Sequence, residues 1–401
     1  MKRVGSRPTL AGAAVAILGA SAGLTGCSSP PPGTSAARAA PPAIGVPLDT
    51  SFATTTGAVA VVAMGTLGDP LNTFWQLFVR RGATSAWTLA TPPGVADNGG
   101  LVVSPDADAP DGSPMLAGFE PSQDLVFSPL ALSRDGGASW APGLVPGGLA
   151  VVPDALAVSP EAGLLALVRG GGGRILRSAG DPTVWSTVVS RRALAASAAG
   201  RRCGVGRLTA VALDAGRGAL VGTTCARPGV VGVFATAGGT WRLVGPRLSG
   251  AAGSAPTTVL RLVDADGVVS ALVAAGHGST AGLIAVASTT GGAWSRSAVP
   301  AMGPGSRVVS TGVESGGGFA VLFSRRHLSL ALDVERGPGT GWAAAPSPPP
   351  GTSAVAVGTA GGIDALAVAS TRLTDWRLGA AAGTWTKIGT VTVPIQFGSS
   401  S

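Results

Sequence analysis

Few side chains in this sequence are of the types that carry out acid–base, nucleophilic or metal chemistry. The 401 residues include two histidines, His277 and His327, three cysteines and no tyrosine. A serine hydrolase would need one of these histidines as its base, and no Gly-x-Ser-x-Gly motif stands near either of them. Two separated histidines without a cysteine cluster also lack the pattern of a zinc site. We therefore predict no catalytic residue, no metal and no cofactor, and we expect the protein not to be an enzyme.

Two of the cysteines, Cys203 and Cys225, are placed as a structural disulfide would be. Cys203 lies just before a predicted strand, and Cys225 lies just after the next strand. Because these strands are predicted to be antiparallel neighbours, the start of one lies beside the end of the other, near the Cα spacing of a disulfide. We predict a Cys203–Cys225 disulfide in an oxidising compartment. A reactive thiol pair is the alternative, although the spacing is not that of a redox motif.

The third cysteine, Cys27, ends an N-terminal segment that has the three parts of an export signal. These parts are a positive start with Lys2, Arg3 and Arg7, a short apolar run from Leu10 to Gly23, and Leu24-Thr25-Gly26-Cys27. The last four residues resemble the lipobox of bacterial lipoproteins. The resemblance implies cleavage after residue 26 and attachment of diacylglycerol, with acyl chains such as palmitate, to Cys27. The protein would then be anchored on the extracytoplasmic side of the cell membrane. An ordinary cleaved signal is the alternative.

The composition changes directly after Cys27. Residues 28–42 are mostly Ser, Pro, Ala and Gly and carry one charge, Arg38. Such a segment cannot form a packed core and is typical of a tether. We therefore predict a lipoprotein signal peptide over 1–26, a lipidated and disordered tether over 27–43, and a folded domain over 44–398.

Seven of the nine tryptophans recur at intervals of 43 to 56 residues, each after a turn rich in small residues. They are Trp87, Trp140, Trp185, Trp241, Trp294, Trp342 and Trp385. A repeat of this length, with short apolar runs between glycine turns, is typical of a β-propeller with one blade per repeat. We predict an all-β fold, a seven-bladed β-propeller of four-stranded antiparallel blades. The strands of each blade are named A to D from the axis outward.

The four strands are clearest in the fourth repeat. The predicted strands there are Leu208–Leu213, Ala219–Thr224, Val230–Thr236 and Trp241–Val244. The first repeat has clear B, C and D strands but a weak A strand. The run Thr390–Phe397 comes after the last predicted D strand. Since an open propeller would expose an edge strand, we predict that this run joins the first blade and closes the ring.

One turn matches a known sequence motif completely. Residues Ser133, Asp135, Gly137 and Trp140 fit the pattern Ser-x-Asp-x-Gly-x-x-Trp. The segment resembles the BNR/Asp-box propeller families, which include sialidase-like domains and assembly factors of the photosystem type. We expect a structural role, in which Asp135 accepts hydrogen bonds from backbone amides of its own turn, Gly137 adopts a positive φ and Trp140 packs between sheets. The resemblance to sialidases would imply a tyrosine nucleophile, which this sequence lacks.

The predicted connections separate charge between two faces. The A–B and C–D turns share one face and contain Asp106, Asp108, Asp111, Asp135, Glu161, Asp214, Asp264, Asp266, Glu314 and Glu335. The B–C and D–A loops share the other face and contain Arg169, Arg191, Arg192, Arg201, Arg202, Arg227, Arg325 and Arg326. We predict His277, Arg325, Arg326 and His327 as a candidate binding face for an anionic partner. The alternative is that exposed turns simply carry the charges of the chain.

The net charge of +8 does not point to nucleic acid, because no lysine or arginine stripe interleaved with aromatic residues is present. Beyond residue 26 no apolar run is long enough to span a membrane. We predict a monomeric, lipid-anchored, non-catalytic binding scaffold for a protein or an anionic envelope polymer such as a glycan. The alternatives are an accessory or assembly factor for a membrane complex and, less well supported, a glycoside hydrolase.

Overall fold

The structure covers the repeats and leaves out the N-terminal segment. The computed structural model describes residues 45–48, 50–65, 73–95, 100–106, 108–120, 129–143, 152–161, 163–214, 216, 218–276, 282–288, 292–299, 306–314, 316–325, 330–358 and 361–393. All of these lie in one compact unit, Pro42–Ser401. The predicted signal peptide, the tether and Cys27 lie outside the described residues. In these ranges no helix is both long enough and apolar enough to cross a membrane.

The short apolar runs form strands, and consecutive strands pair in antiparallel up-and-down order. Because tight turns connect most of them, neighbours along the chain are neighbours in the sheet. The first sheet contains Val46–Pro47 (β1), Phe52–Ala53 (β2), Ala58–Gly65 (β3), Thr73–Arg80 (β4) and Thr88–Leu89 (β5). The second contains Leu101–Pro105 (β6), Met115–Phe119 (β7), Leu130–Ser133 (β8) and Ala141–Pro142 (β9). The third contains Ala155–Ser159 (β10), Gly163–Val168 (β11), Arg174–Ser178 (β12) and Ser186–Ser190 (β13).

Two short helices follow the third sheet, Arg191–Ala196 (α1) and Ala198–Cys203 (α2). Serine caps begin both helices. The Ser190 hydroxyl accepts a hydrogen bond from the Ala193 amide at 3.1 Å, and the Ser197 hydroxyl accepts one from the Gly200 amide at 2.9 Å. Helix α2 ends at Gly204, whose φ of +69° is the left-handed conformation that glycine adopts most easily. Single 3₁₀ turns occur at Gly170–Gly172 and Gly250–Ser254.

The next eight strands form one sheet made of two four-stranded meanders. They are Val205–Leu213 (β14), Ala219–Cys225 (β15), Val233–Ala237 (β16), Thr240–Leu243 (β17), Thr257–Ala265 (β18), Val268–Ala275 (β19), Gly282–Ser288 (β20) and Trp294–Ala298 (β21). The two meanders are joined where β15 pairs with β18. The remaining sheets are Arg307–Val313 (β22), Phe319–Ser324 (β23), Leu330–Glu335 (β24) and Ala343–Ala344 (β25), then Thr352–Val357 (β26), Ile363–Ala369 (β27), Arg372–Leu378 (β28) and Thr386–Thr392 (β29).

The core consists of apolar clusters between successive meanders. In one of them, Leu220 and Val233 of the fourth meander pack with Val259 and Leu262 of the fifth. A further cluster joins the first sheet to the last, with Ala58, Val62 and Phe78 packed against Leu366 and Leu373. The sheets therefore close into a circle through side-chain packing, and burial of these faces supplies the main favourable free energy of the fold.

Charged residues reinforce this closure in the interior. Arg80, fully buried at the end of β4, reaches the last sheet, where its Nε lies 2.9 Å from Oδ2 of Asp375 and its Nη2 lies 3.7 Å from Oδ2 of Asp364. Arg377 contacts Asp364 from the other side, with Nε and Oδ1 2.6 Å apart. Burial and the neighbouring Asp364 charge raise the pKa of Asp375 to about 7, outweighing the lowering effect of Arg80.

The predicted role of Thr390–Phe397 in closing the ring is wrong for the residues that the structure describes. Thr390 to Thr392 belong to β29, which pairs with β28 of the last sheet. The reason is the length of β29, which continues past the point where the sequence pattern suggests a separate run. The inner edge of the first sheet is instead supplied by β1 and β2, which both pair with β3. Residues 394–397 lie outside the described ranges.

Candidate binding site

The repeating tryptophans lie in, or directly before, the fourth strand of each meander. Several of them link adjacent sheets. Trp140 donates its indole N–H to the Ala90 carbonyl at 3.0 Å, and Trp342 donates to the Ser297 carbonyl at 3.3 Å. Each acceptor belongs to the preceding meander. These indole rings therefore position the sheets, and the connections between strands are left as the places where a partner could bind.

The Asp-box turn uses its polar groups internally. Oδ1 of Asp135 accepts hydrogen bonds from the Ser133 hydroxyl at 2.9 Å and the Ser139 amide at 2.8 Å, and Oδ2 accepts from the Ser139 hydroxyl at 2.5 Å. The Ser139 contacts, followed by the Ser133 bond, lower the pKa of Asp135 to about 2. The Gly137 amide donates to the Ser133 hydroxyl at 2.8 Å, and Gly137 has a φ of +81°. This geometry suits a turn-forming residue better than a proton donor.

Only one of the four predicted face residues lies in the described part of the chain. Arg325 follows β23, and its guanidinium carbon lies 5.5 Å from the centre of the buried Phe323 ring. His277, Arg326 and His327 lie outside the described residues. The arrangement of the four residues is therefore not tested, and this face stays a prediction. Arg169, another predicted base of that face, is paired with Asp154, with Nη1 and Oδ1 3.2 Å apart.

The predicted disulfide between Cys203 and Cys225 is present, with the two Cα atoms 4.9 Å apart. It joins the last residue of α2 to the last residue of β15. Two backbone hydrogen bonds lie beside it. The Ala226 amide donates to the Gly204 carbonyl and the Arg227 amide to the Cys203 carbonyl, each at 3.0 Å. The end of the helical insert is thus held against the connection between β15 and β16.

A pocket of about 810 Å³ lies at this junction, on the side of the B–C and D–A connections. We call it the arginine pocket, after Arg201, Arg202, Arg227 and Arg247 in its lining. The first two come from α2, the third from the β15–β16 connection and the fourth from the segment after β17. Apolar side chains, among them Val230 and Leu243, complete the lining, and none of the acidic residues that the structure describes lies in it.

The segment that carries Arg247 is also fixed. Arg247 forms a β-bridge with Val230. The Val231 amide donates to the Pro246 carbonyl at 3.0 Å, and the Leu248 amide donates to the Gly229 carbonyl at 2.7 Å. Gly229 has a φ of +70°, and a Cβ there would lie 2.7 Å from the Gly253 carbonyl oxygen, so only glycine fits. All three walls of the arginine pocket are consequently tied to one another through the backbone.

The guanidinium groups of the pocket differ in their partners. Arg201 donates to the Ala196 carbonyl at the end of α1. The guanidinium groups of Arg202, Arg227 and Arg247 make no hydrogen bond or ion pair with any described residue, and all four arginines are exposed. Like charges gathered without a counter-charge create a local positive potential. Arg201, Arg202 and Arg227 were predicted from the sequence to lie on this face. No sequence pattern predicted that Arg247 would join them.

The connections on the opposite face carry acidic side chains. Burial raises the pKa of both Glu314, which follows β22, and Glu335, which ends β24. The Glu335 carboxylate accepts a hydrogen bond from the Ser297 hydroxyl at 2.8 Å. Throughout the described ranges, no three His, Cys, Asp or Glu side chains come together as a metal site would require.

Comparison with known proteins identifies the fold. No protein-family model and no curated protein matches the sequence. An ancestral GH74 enzyme of known structure is similar over 86% of this chain, with a TM-score of 0.50 and 13% identity. Together with meanders that close into a circle, this likeness decides the architecture. The fold is a β-propeller.

Other propellers of known structure are similar at a lower level. YCF48 from Cyanidioschyzon merolae has a TM-score of 0.48 and 13% identity, over 87% of this chain and 97% of YCF48. A structure of YCF48 bound to D1 peptide has a TM-score of 0.42 and 14% identity, over 64% of this chain and 74% of that one. This chain covers 46% of the GH74 enzyme. At these identities the likeness concerns the fold and carries neither a ligand nor a reaction.

Proposed function

We propose that this propeller is a non-catalytic binding scaffold that holds an anionic partner against its B–C and D–A connections. The observation that carries the proposal is the arginine pocket, which four arginines line and to which none of the described acidic residues contributes. Positive charge that the protein itself leaves unpaired attracts anions and steers their approach. By contrast, the indole N–H groups of Trp140, Trp185, Trp342 and Trp385 and the Asp-box carboxylate form hydrogen bonds within the scaffold.

We further propose that the ring has seven blades, one for each tryptophan repeat. The support is the succession of four-stranded meanders, from the first sheet to β26–β29, with an apolar cluster between each neighbouring pair that includes the pair of last and first. A propeller of this kind is a rigid body, so that its connections are held at fixed positions.

The lipid anchor belongs to the same proposal. The lipobox-like Leu24-Thr25-Gly26-Cys27 and the tether that follows it support attachment to the extracytoplasmic side of the cell membrane. The propeller would then act within reach of the bilayer, as a monomer, on a protein or an anionic envelope polymer. Cys27→Ala should remove labelled palmitate and move the protein from the membrane fraction to the soluble fraction.

A pull-down after mild crosslinking, made with the full-length lipidated protein, tests the function. We expect an anionic polymer or protein to be retained by the wild type and by Arg372→Glu, a control that reverses an exposed charge on β28. Retention should fall for Arg325→Glu/Arg326→Glu and for Arg202→Glu/Arg227→Glu. Equal retention by all four proteins would overturn the proposal.

The eluate of this pull-down and a parallel activity screen distinguish the other candidate functions. If a membrane-protein complex is retained in stoichiometric amounts, and equally by the charge-reversal variants, an accessory or assembly factor is favoured. Turnover of fluorogenic glycosides by the purified wild type would instead favour a glycoside hydrolase.

A further inference from the structure

We propose that the arginine pocket is a binding site for linked phosphate groups, such as a diphosphate or a short polyphosphate carried by an organic molecule. The inference rests on the proposed function, because it assigns a ligand chemistry to the basic face. Its basis is the convergence of Arg202, Arg227 and Arg247 from three separate segments on one pocket of about 810 Å³.

Charge is the first argument for linked phosphates. Four guanidinium groups line the pocket with no carboxylate among the described lining residues, so they repel one another, and an anion of matching charge removes this repulsion. A single carboxylate would neutralise only one of them. A guanidinium also presents its N–H groups as a planar fork that matches two oxygens of a phosphate group. Linked phosphates offer such oxygen pairs side by side.

Preorganisation is the second argument. The Cys203–Cys225 disulfide and two backbone hydrogen bonds hold the segment of Arg202 beside that of Arg227. The bridge between Val230 and Arg247 fixes the third segment. Since these backbones are already in place, the binding of an anion has to order only the side chains, which lowers its entropic cost.

The shape of the pocket is the third argument. About 810 Å³ is far more than a single phosphate fills, and it lies within the range of organic-ligand pockets. Pro228, Val230, Leu243 and Pro246 give the pocket an apolar side next to the guanidinium groups. The site therefore fits a ligand in which an organic body is joined to the linked phosphates.

Arg201 has a different role from the other three arginines. Its guanidinium donates to the Ala196 carbonyl, so it fastens the end of α1 to α2. We assign it as a positioning residue. Arg202, Arg227 and Arg247 are assigned as the ligand-binding residues, because their guanidinium groups have no partner among the described residues.

Calorimetric titration of the full chain in a non-ionic detergent, with sodium pyrophosphate as the probe, tests this assignment. Pyrophosphate should bind the wild type, with an affinity above those of orthophosphate and of citrate. Removal of one ligand-binding arginine should weaken binding about tenfold. Arg202→Gln/Arg227→Gln/Arg247→Gln should abolish it, whereas Arg192→Gln on α1, which lies outside the pocket lining, should bind as the wild type does.

Several results would overturn the inference. They are no pyrophosphate binding to the wild type, citrate bound as tightly as pyrophosphate, or a triple glutamine variant that binds normally. If that variant does not fold, Arg202→Lys/Arg227→Lys/Arg247→Lys replaces it. This variant keeps the charge and loses the fork, and wild-type affinity there would also overturn the inference. If pyrophosphate binds but the pull-down retains no partner, the proposed function is overturned and the phosphate site is still supported.

Discussion

At the scale of single residues, the Asp-box carboxylate shows how a turn can look functional and serve the fold. Both oxygens of Asp135 accept hydrogen bonds from the turn's own Ser133 and Ser139. The motif predicted bonds from backbone amides of the turn, such as that from the Ser139 amide, because they depend on residues at most four positions apart. It did not predict the bonds from the Ser133 and Ser139 hydroxyls. A contact such as that from Trp140 to the Ala90 carbonyl depends on a partner that lies 50 positions away, which no local pattern specifies.

Asp135 should make stability depend on pH in a defined window. Its pKa is lowered from 3.8 to about 2, first by the Ser139 hydrogen bonds. The stabilisation is therefore complete above pH 4 and is lost as the pH falls through about 2. Asp135→Asn should lower the thermal unfolding midpoint at pH 6, and this difference from the wild type should shrink towards pH 2.

The unfolding midpoints of the wild type and the variant are measured by circular dichroism during heating, at several pH values. Ser139→Ala is the matched control, because it removes one of the two hydrogen bonds from Ser139 and should raise the pKa of Asp135. A difference that stays constant from pH 6 to pH 2 would contradict the assignment.

At the scale of elements, strands were predictable and the helical insert was not. The predicted Ala219–Thr224 and Trp241–Val244 correspond to Ala219–Cys225 and Thr240–Leu243, because short apolar runs bounded by glycine fix strand positions locally. Helices α1 and α2 occupy an interval that the repeat pattern assigns to a loop. Their signal was the serine caps Ser190 and Ser197 before alanine-rich turns, and a helix of six residues is too short to show a periodic pattern.

The disulfide should contribute measurably to the stability of this insert and its sheet. It closes a loop with a sequence separation of 22, and restricting the unfolded chain in this way is worth about 3 kcal/mol. Cys203→Ala/Cys225→Ala should lower the free energy of unfolding by that amount in chemical denaturation. A reductant should destabilise the wild type to a similar extent and leave the variant unaffected. An unchanged unfolding midpoint in the variant would rule out this contribution.

At the scale of the whole molecule, the closure of the ring depends on residues that the sequence could not pair. Arg80 and Asp375 are 295 positions apart, and nothing near either of them marks the other as its partner. The repeat spacing predicted that the ends must meet, but not by which contacts. The sequence pattern favoured an exchanged strand, whereas the structure uses packed faces and a buried guanidinium.

Arg80 should therefore be among the most sensitive positions for global stability. Arg80→Met leaves Asp375 buried without its ion-pair partner and leaves Asp364 paired with Arg377 alone, so it should lower the free energy of unfolding by about 3–5 kcal/mol. Chemical denaturation monitored by tryptophan fluorescence makes the measurement. Arg372→Met, an exposed change on the last sheet, which carries Asp364 and Asp375, should alter stability by less than about 0.5 kcal/mol. A stable Arg80→Met variant would show that the buried charges are dispensable.

The interior position of Arg80 also sets the order in which the molecule can be completed. Its carboxylate partners lie on β27 and β28, near the end of the chain. The guanidinium therefore stays hydrated until almost all residues have been synthesised. Until then the apolar face of the first sheet has no cover. A chain that stops before residue 364 would expose the hydrated Arg80 guanidinium beside the uncovered apolar face of the first sheet. Proteases could recognise this exposed surface and degrade the incomplete chain, whereas the finished protein buries it.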